Sequence, residues 1–310
     1  MKIIVDNKIP YIHEAVEQIA DEVVYLPGSG FTAGDVRDAA ALVIRTRTRC
    51  NRELLEGSKV KFIATATIGF DHIDVDYCDE AGIVWKNCPG CNAGSVEQYL
   101  HSVLLLLKRR KGVRLEESCL GIVGVGHVGS RIQRMAEALG MRVLLNDPPR
   151  ADRGETEFVD LSVLARECDI ITFHTPLNRN GKYKTFHLAD ADFFAGLQRK
   201  PFIVNTLKTG RIRDAVIDTW ENEQEIHPDL LQKVFLGTPH IAGYSADGKS
   251  NATRMALEER CNFFHIQADF KIVPPALPYM DYSSDPEEAF LQMYDPTRDS
   301  DALKRHPEEF

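Results

Sequence analysis

Short apolar runs alternate with segments of helical spacing along the first ninety-odd residues. Lys2–Val5, Val23–Leu26, Ala40–Arg45, Lys61–Ala66 and Ile83–Trp85 read as strands, and Tyr11–Ile19, Arg52–Glu56 and Val75–Ala81 as helices. This alternation predicts a parallel sheet covered on both faces. Next comes a long helix, Ser95–Arg110, apolar at positions 96, 99, 100, 103, 104 and 107, which is helical spacing. The strand pattern then resumes at Leu120–Val125, Arg142–Asn146, Cys168–Phe173, Pro201–Asn205, Ala215–Asp218 and Val234–Gly237. Ser130–Gly140, Leu161–Arg166 and Ala191–Leu197 read as helices between them. Ala252–Ala268 reads as a long amphipathic helix returning toward the first lobe, and Pro274–Pro278 as a break. The acidic tail Asp281–Phe310 is too short and polar to form its own core. The expected fold class is α/β: two doubly wound parallel-sheet lobes with a partial C-terminal segment.

One stretch organises the second lobe. Gly121-Ile-Val-Gly-Val-Gly-His-Val-Gly129 places glycines at 124, 126 and 129 between a strand and a helix, and the next strand ends at Asp147. That order describes a dinucleotide-binding βαβ unit. Gly124 permits the turn, Gly126 leaves room for a pyrophosphate, and Gly129 lets helix and strand pack closely. The helix N-terminus offers N–H groups and a positive dipole end to the phosphates. Asp147 is placed to bond the ribose hydroxyls, which selects NAD over NADP. Arg150 lies close by, and an arginine there can accept a 2′-phosphate.

The pattern also poses a problem. Phe202–Asn205 and Ala215–Asp218 should be parallel neighbours, and a crossover between such strands needs about ten to twelve residues. Thr206 to Asp214 offers nine, without helical periodicity. Either the two runs are not adjacent, or a helix-bearing segment is missing between Thr206 and Leu207. The second is the expectation, and an intact mass of 34.9 kDa would sink it.

Length and charge narrow the function. A chain of 310 residues with 44% hydrophobic content supports two sizeable cores. Net charge −9 and pI near 5.6 argue against a nucleic-acid partner. No segment reads as a signal peptide, and the longest apolar run, Val103–Leu107, is too short to span a bilayer. Seven scattered cysteines suggest reduced thiols in a cytoplasm. Cys88-Pro-Gly-Cys91 could be a redox pair, but a Pro-Gly turn carrying two thiols is the plainer reading. No second ligand pair stands at zinc spacing, so no metal is expected.

Hydride transfer also needs a proton acceptor, and His240 is the best candidate. It ends a strand-like run, between Pro239 and Ala242-Gly243, and a histidine titrates near neutral pH. Glu223, in the preceding loop, could raise and orient the imidazole. From spacing alone, either could equally be a solvated loop side chain. His174 also ends a strand, and Thr175-Pro176 beside it looks like a cofactor-contacting turn. In Arg45-Thr-Arg-Thr-Arg49, an extended chain would put the three arginines on one face. That face is either an anion pocket or a protective basic edge. Lys108–Lys111 puts four cations at a helix C-terminus, where a dipole interaction suffices.

These words together resemble the D-2-hydroxyacid dehydrogenases: Gly121–Gly129, Asp147, His174-Thr-Pro-Leu177, Ile217-Asp218 with Glu223, and Pro239-His-Ile-Ala-Gly243. A branch of that family acting on a small phosphorylated 2-hydroxy acid is matched more tightly. Asp147-Pro-Pro-Arg-Ala-Asp-Arg-Gly154, Tyr183-Lys-Thr-Phe-His-Leu188, Pro89-Gly-Cys-Asn-Ala93 and His240-Ile-Ala-Gly-Tyr244 carry that match. The resemblance implies a Rossmann-type NAD domain over 96–245 and a flavodoxin-like substrate (lid) domain over 1–95 and 246–275. It makes 276–310 the start of a C-terminal dimerisation region, so a cytoplasmic homodimer is implied. It implies His240 as catalytic acid/base with Glu223 as its partner. Gly124, Gly126, His127, Val128, Gly129, Asp147, His174, Thr175, Asp218 and Gly243 would bind NAD. Asp218 would reach the nicotinamide carboxamide. Arg45, Thr46, Thr67 and Tyr244 would contact substrate.

Two departures stand out. The family's carboxylate-binding arginine, which opens the helix after Phe202–Asn205, has no counterpart in Asn205-Thr206-Leu207-Lys-Thr-Gly210. Arg211 and Arg213 belong to the next strand's approach. Gln224 stands where the family usually has proline. An intact chain of this kind would be a dehydrogenase, of this phosphorylated acid or of another such as 3-phosphoglycerate. A chain truly lacking the arginine and helix would be a dinucleotide-binding sensor or scaffold.

Overall fold

The structure, a computed structural model, describes residues 1–204, 212–221, 223, 225–267, 270–272, 274–276 and 279–309. The chain divides into two compact units: Met1–Asn92 with Tyr244–Pro278, and Ala93–Gly243 with Tyr279–Phe310. Each contains one parallel sheet.

The first sheet comprises β1 (Lys2–Asp6), β2 (Glu22–Leu26), β3 (Ala41–Ile44), β4 (Phe62–Thr65) and β5 (Val84–Lys86), in the order β2-β1-β3-β4-β5. Every pairing is parallel. Successive side chains leave opposite faces, so the buried runs feed two separate cores. Ile3, Val5, Val43, Phe62 and Ala64 join one, together with Ala252, Ala256 and Leu257 of the Ala246–Phe264 helix. Ile4, Leu42, Ile44 and Ile63 join the other. Thr32 and Asp35 form a capping box on a short helix, Ala33–Val36, that periodicity did not reveal.

The second sheet comprises β6 (Cys119–Val123), β7 (Arg142–Asn146), β8 (Ile170–Phe173), β9 (Phe202–Val204), β10 (Asp214–Ile217) and β11 (Leu236–Gly237). Its order is β11-β10-β9-β8-β6-β7, again all parallel. Leu120, Ile122, Ile170, Phe202, Val204 and Val216 pack with Leu100, Val103, Leu104 and Leu107 of the Ala93–Lys111 helix. Ile171 and Ile203 fill the opposite face.

β9 and β10 are adjacent, with Phe202 opposite Asp214 and Val204 opposite Val216. The first way out of the crossover problem is thereby closed. The proposed break at Thr206–Leu207, the family-like words over 205–211 and Gln224 lie outside the described residues. So do Ala268 and Pro278, the expected ends of a helix and a break.

The tail forms two helices, Pro286–Met293 and Thr297–Arg305, with no core of its own. Leu291 enters the core behind β6, and Leu303 joins Ile217, Trp220 and Leu231. This changes the expectation for the basic helix end. Lys108 pairs with Glu287 at 2.7 Å, and Arg109 pairs with Glu288 and with Asp285 at 3.1 Å. Lys111 pairs with Asp214 at 2.7 Å. Those cations fasten the tail and β10 as well as meeting a dipole. Among the described residues, no helix is long and apolar enough to cross a membrane.

Candidate active site

In open parallel sheets, ligands sit outside the carboxyl ends of the strands where the strand order reverses. In the second unit that point lies between β6 and β8, and both strands end in predicted site residues. After β6 the chain turns at Gly124 (φ 86°). A Cβ there would stand 2.7 Å from the carbonyl oxygen of His174 and 2.9 Å from Thr175. The end of β8 therefore packs directly over the glycine turn. At Gly129 a Cβ would collide with the Gly124 carbonyl oxygen. At Gly126 it would meet nothing within 4 Å. Two glycines are thus required by the protein's own packing, while the third keeps space open. The His127–Ala138 helix begins there without a side-chain cap. A depression of about 450 Å³ at this helix end is lined by Val125, Gly126, His127, Ser130, Arg131, Arg134 and Arg150. Uncapped N–H groups, open space and arginines suit a pyrophosphate, so the residues present fit a dinucleotide. Val128 is half-buried in the helix's first turn.

Asp147 closes β7 and braces this turn. One oxygen accepts the Val125 N–H at 2.8 Å, and the other accepts the Arg150 N–H at 3.2 Å. Arg150 donates to the Val125 carbonyl at 2.8 Å. It also donates through Nε to both oxygens of Glu155, at 3.1 and 2.9 Å, and its guanidinium lies 4.7 Å from the Phe158 ring centre. The Glu155 pairing raises the Arg150 pKa. Nε2 of His174 lies 2.8 Å from Thr172 Oγ1, and burial pushes the imidazole down to about 4. His174 is therefore neutral at pH 7.

The second cluster follows β10 and β11. Nδ1 of His240 lies 2.6 Å from Glu223 Oε1, and both line a small depression with Trp220, Ile226 and Pro239. His240 has φ 54°, a left-handed backbone that costs a β-carbon-bearing residue about 1–2 kcal/mol. Asp218 holds it there. Its carbonyl accepts the His240 N–H at 2.8 Å, and its carboxylate accepts Ile241 N at 2.8 Å and Ala242 N at 3.0 Å. Thr238 Oγ1 donates to the same carboxylate at 2.6 Å and lies 2.7 Å from the Tyr99 hydroxyl. Asp218 is 2% exposed, so the loop carrying His240 is built on a buried acid. Gly243, half-buried, ends that loop.

The first unit has its own reversal point, between β1 and β3. Asp6, fully buried at the end of β1, holds Arg45 just past β3, with Oδ2 3.0 Å from Nε. The arginines do not share an extended face. Thr48 N–H donates to the Arg45 carbonyl at 3.1 Å, and Thr48 Oγ1 turns inward to the Gly28 carbonyl at 2.8 Å. The chain turns directly after β3 ends at Ile44, and Thr46 is exposed at that turn. Thr67, past β4, lies 2.7 Å from Thr65 Oγ1 and donates to the Gly69 carbonyl at 2.9 Å. Tyr244 is 70% exposed with Lys249 Nζ 3.3 Å from its ring centre, and that ammonium lowers the phenol pKa. Cys88 and Cys91 are free and buried. Cys88 donates to carbonyls of Thr65 and Ala252, and burial pushes its thiol up to about 12. That is a poor redox thiol. Sequence reasoning missed Asp6, whose signal was an acid closing the first apolar run. It also missed Glu155, which no pattern announced.

Comparison with known proteins bears directly on this arrangement. The family described as D-isomer specific 2-hydroxyacid dehydrogenase, NAD binding domain, matches residues 97–242. A solved 3-phosphoglycerate dehydrogenase of Entamoeba histolytica with bound NAD+ has a TM-score of 0.65 at 26% identity, covering 86% of this chain and 95% of that one. Erythronate-4-phosphate dehydrogenase of Bacteroides thetaiotaomicron is 58% identical, over 100% of this chain and 94% of the relative. That of Bacteroides fragilis is also 58% identical, over 99% and 93%. This chain belongs to the D-isomer-specific 2-hydroxyacid dehydrogenase family. The first Bacteroides alignment runs over 327 positions against 310 residues here. The difference, 17, is a minimum for positions the relative fills and this chain does not.

Proposed function

We propose that this protein catalyses the NAD-dependent oxidation of 4-phospho-D-erythronate to 2-oxo-3-hydroxy-4-phosphobutanoate, in pyridoxal phosphate biosynthesis. The observation that carries this reading is 58% identity along the whole chain to enzymes called erythronate-4-phosphate dehydrogenase. Residues 96–245 form the NAD-binding domain, and 1–95 with 246–275 the substrate (lid) domain. NAD, when bound, would supply the hydride acceptor for the C2 hydrogen of the substrate. His240 takes the hydroxyl proton. Glu223, on Nδ1, fixes the tautomer that leaves Nε2 as acceptor and stabilises the imidazolium. Asp218 fixes the His240 loop and reaches the nicotinamide carboxamide. Gly126 and the N–H groups from His127 and Val128 hold the pyrophosphate, and Asp147 the adenosine ribose. His174, Thr175 and Gly243 line the cofactor.

In the substrate domain, Arg45 takes the phosphate, aligned by Asp6, with Thr46, Thr67 and Tyr244 beside it. The protein works in the cytoplasm as a homodimer whose dimerisation region starts within 276–310. Light scattering on the purified protein tests the dimer. NADH formation with 4-phosphoerythronate, far above that with 3-phosphoglycerate, is the expected result. Equal rates would move the substrate assignment elsewhere in the family.

A second reading rests on one observation, the nine-residue connection between β9 and β10. A protein truly lacking the crossover helix and the carboxylate arginine would bind a dinucleotide without turning over, as a sensor. NADH binding without product formation would decide for it.

A further inference from the structure

Arg150 stands where a cation would normally threaten NAD selectivity, since an arginine beside the ribose can accept a 2′-phosphate. Its surroundings prevent that. Glu155 receives Nε through both oxygens, at 3.1 and 2.9 Å, and also receives Nη2. Glu157 lies 3.6 Å from Nη2, and Phe158 packs against the guanidinium at 4.7 Å. Nη1 is committed to the Val125 carbonyl. The N–H of the same residue is committed to Asp147. Asp147 and the cation beside it are thus tied to the N–H and the carbonyl of one residue, Val125.

We propose that Glu155 is a specificity-determining residue: by occupying the Arg150 fork it denies the cofactor 2′-phosphate its cation, and so selects NAD against NADP. This rests on the dinucleotide reading of Gly124–Gly129 given above. A bidentate carboxylate uses the donors that a phosphate would use. Glu157, 3.6 Å from Nη2, holds the same fork from a second side. Asp147 alone would discriminate through the ribose hydroxyls. Glu155 adds a second penalty that acts through Arg150.

The test is ligand affinity, measured by calorimetry with 5′-AMP and 2′,5′-ADP on the full chain. The variants are Glu155→Gln, Glu155→Gln with Glu157→Gln, and Glu155→Gln with Arg150→Gln. Wild type should bind 5′-AMP better than 2′,5′-ADP. Glu155→Gln with Glu157→Gln should gain about tenfold for 2′,5′-ADP, the scale of one charge-assisted contact at a half-exposed site. Its 5′-AMP affinity should stay within about twofold, because no contact to the unphosphorylated ribose is altered. Glu155→Gln alone should gain in the same direction, and Glu155→Gln with Arg150→Gln should show no gain. Equal changes for both nucleotides, or a gain that survives the loss of Arg150, would overturn the proposal. A wild-type protein that binds neither 5′-AMP nor NADH would overturn the dinucleotide reading itself, a distinct failure.

Discussion

The Glu223 carboxylate lies 2.6 Å from Nδ1 of His240, and a buried acid, Asp218, holds the backbone of the loop between them and the sheet. The pair is half-exposed at the surface of its unit, where a charged histidine is easily hydrated. Its value is therefore orientation and tautomer choice more than stability. His240→Asn should lower kcat by about 10²–10⁴-fold, the usual share of a general base, while NADH titration shows unchanged affinity. Glu223→Gln keeps the hydrogen bond and removes the charge, so its kcat should fall by less. Near-normal turnover in His240→Asn would refute the assignment.

The glycine turn permits a sharper contrast. A methyl group at Gly129 would collide with the Gly124 carbonyl, a backbone atom that cannot swing aside. Gly129→Ala should therefore lower the melting temperature, with an overpacking cost of about 1–3 kcal/mol. A methyl at Gly126 meets nothing in the protein. Gly126→Ala should melt with wild type yet bind NADH at least about tenfold more weakly, as a lost close approach to phosphate implies. Parallel thermal melts and fluorescence titrations separate the two. Weak binding in neither variant would remove the pyrophosphate from this turn.

Much of this was legible in the chain, and the reasons are physical. Parallel strands buried on both faces are continuous apolar runs, so Ile3–Val5 and Leu120–Val123 announced themselves. The glycine turn was legible because two of its three glycines, Gly124 and Gly129, answer a steric demand of the packing itself. Backbone conformation was not legible: nothing marks His240 for a left-handed φ, or Arg45–Thr48 for a turn. Nor did the sequence pattern reveal Asp6, Glu155 or the tail helices. Their partners, Arg45, Arg150 and Lys108–Arg109, are brought to them by the fold, and Asp285–Glu288 reads locally as a polar run.

His174 gives the fold a pH dependence of known sign. Its pKa falls from 6.5 to about 4 on folding because burial disfavours the charged ring. Above pH 6.5 it is neutral in both states and contributes nothing to the slope. As pH falls from 6.5 toward 4 the unfolded chain takes up a proton that the folded chain refuses, so stability is lost across that window. Below about 4 the loss is complete. His174→Gln should flatten the change in urea midpoint between pH 7.5 and pH 4.5 relative to wild type. An unaltered slope would mean that the ring is not the titrating group.

The connection from β9 to β10 spans nine residues. The strands are paired in parallel, Ala215 opposite Ile203, and a parallel crossover of nine residues is shorter than the minimum such connections use. The Bacteroides thetaiotaomicron relative fills at least 17 positions that this chain does not, enough for a crossover helix. The gene read across Thr206–Leu207, with intact mass of the purified protein, is expected to reveal it as a mass above 34.9 kDa. The recovered segment should contain an arginine whose replacement by glutamine raises KM and lowers kcat together, because one cation would both hold the carboxylate and polarise the carbonyl. A measured mass of 34.9 kDa would instead make the short connection real. NADH should then bind without 4-phosphoerythronate being oxidised.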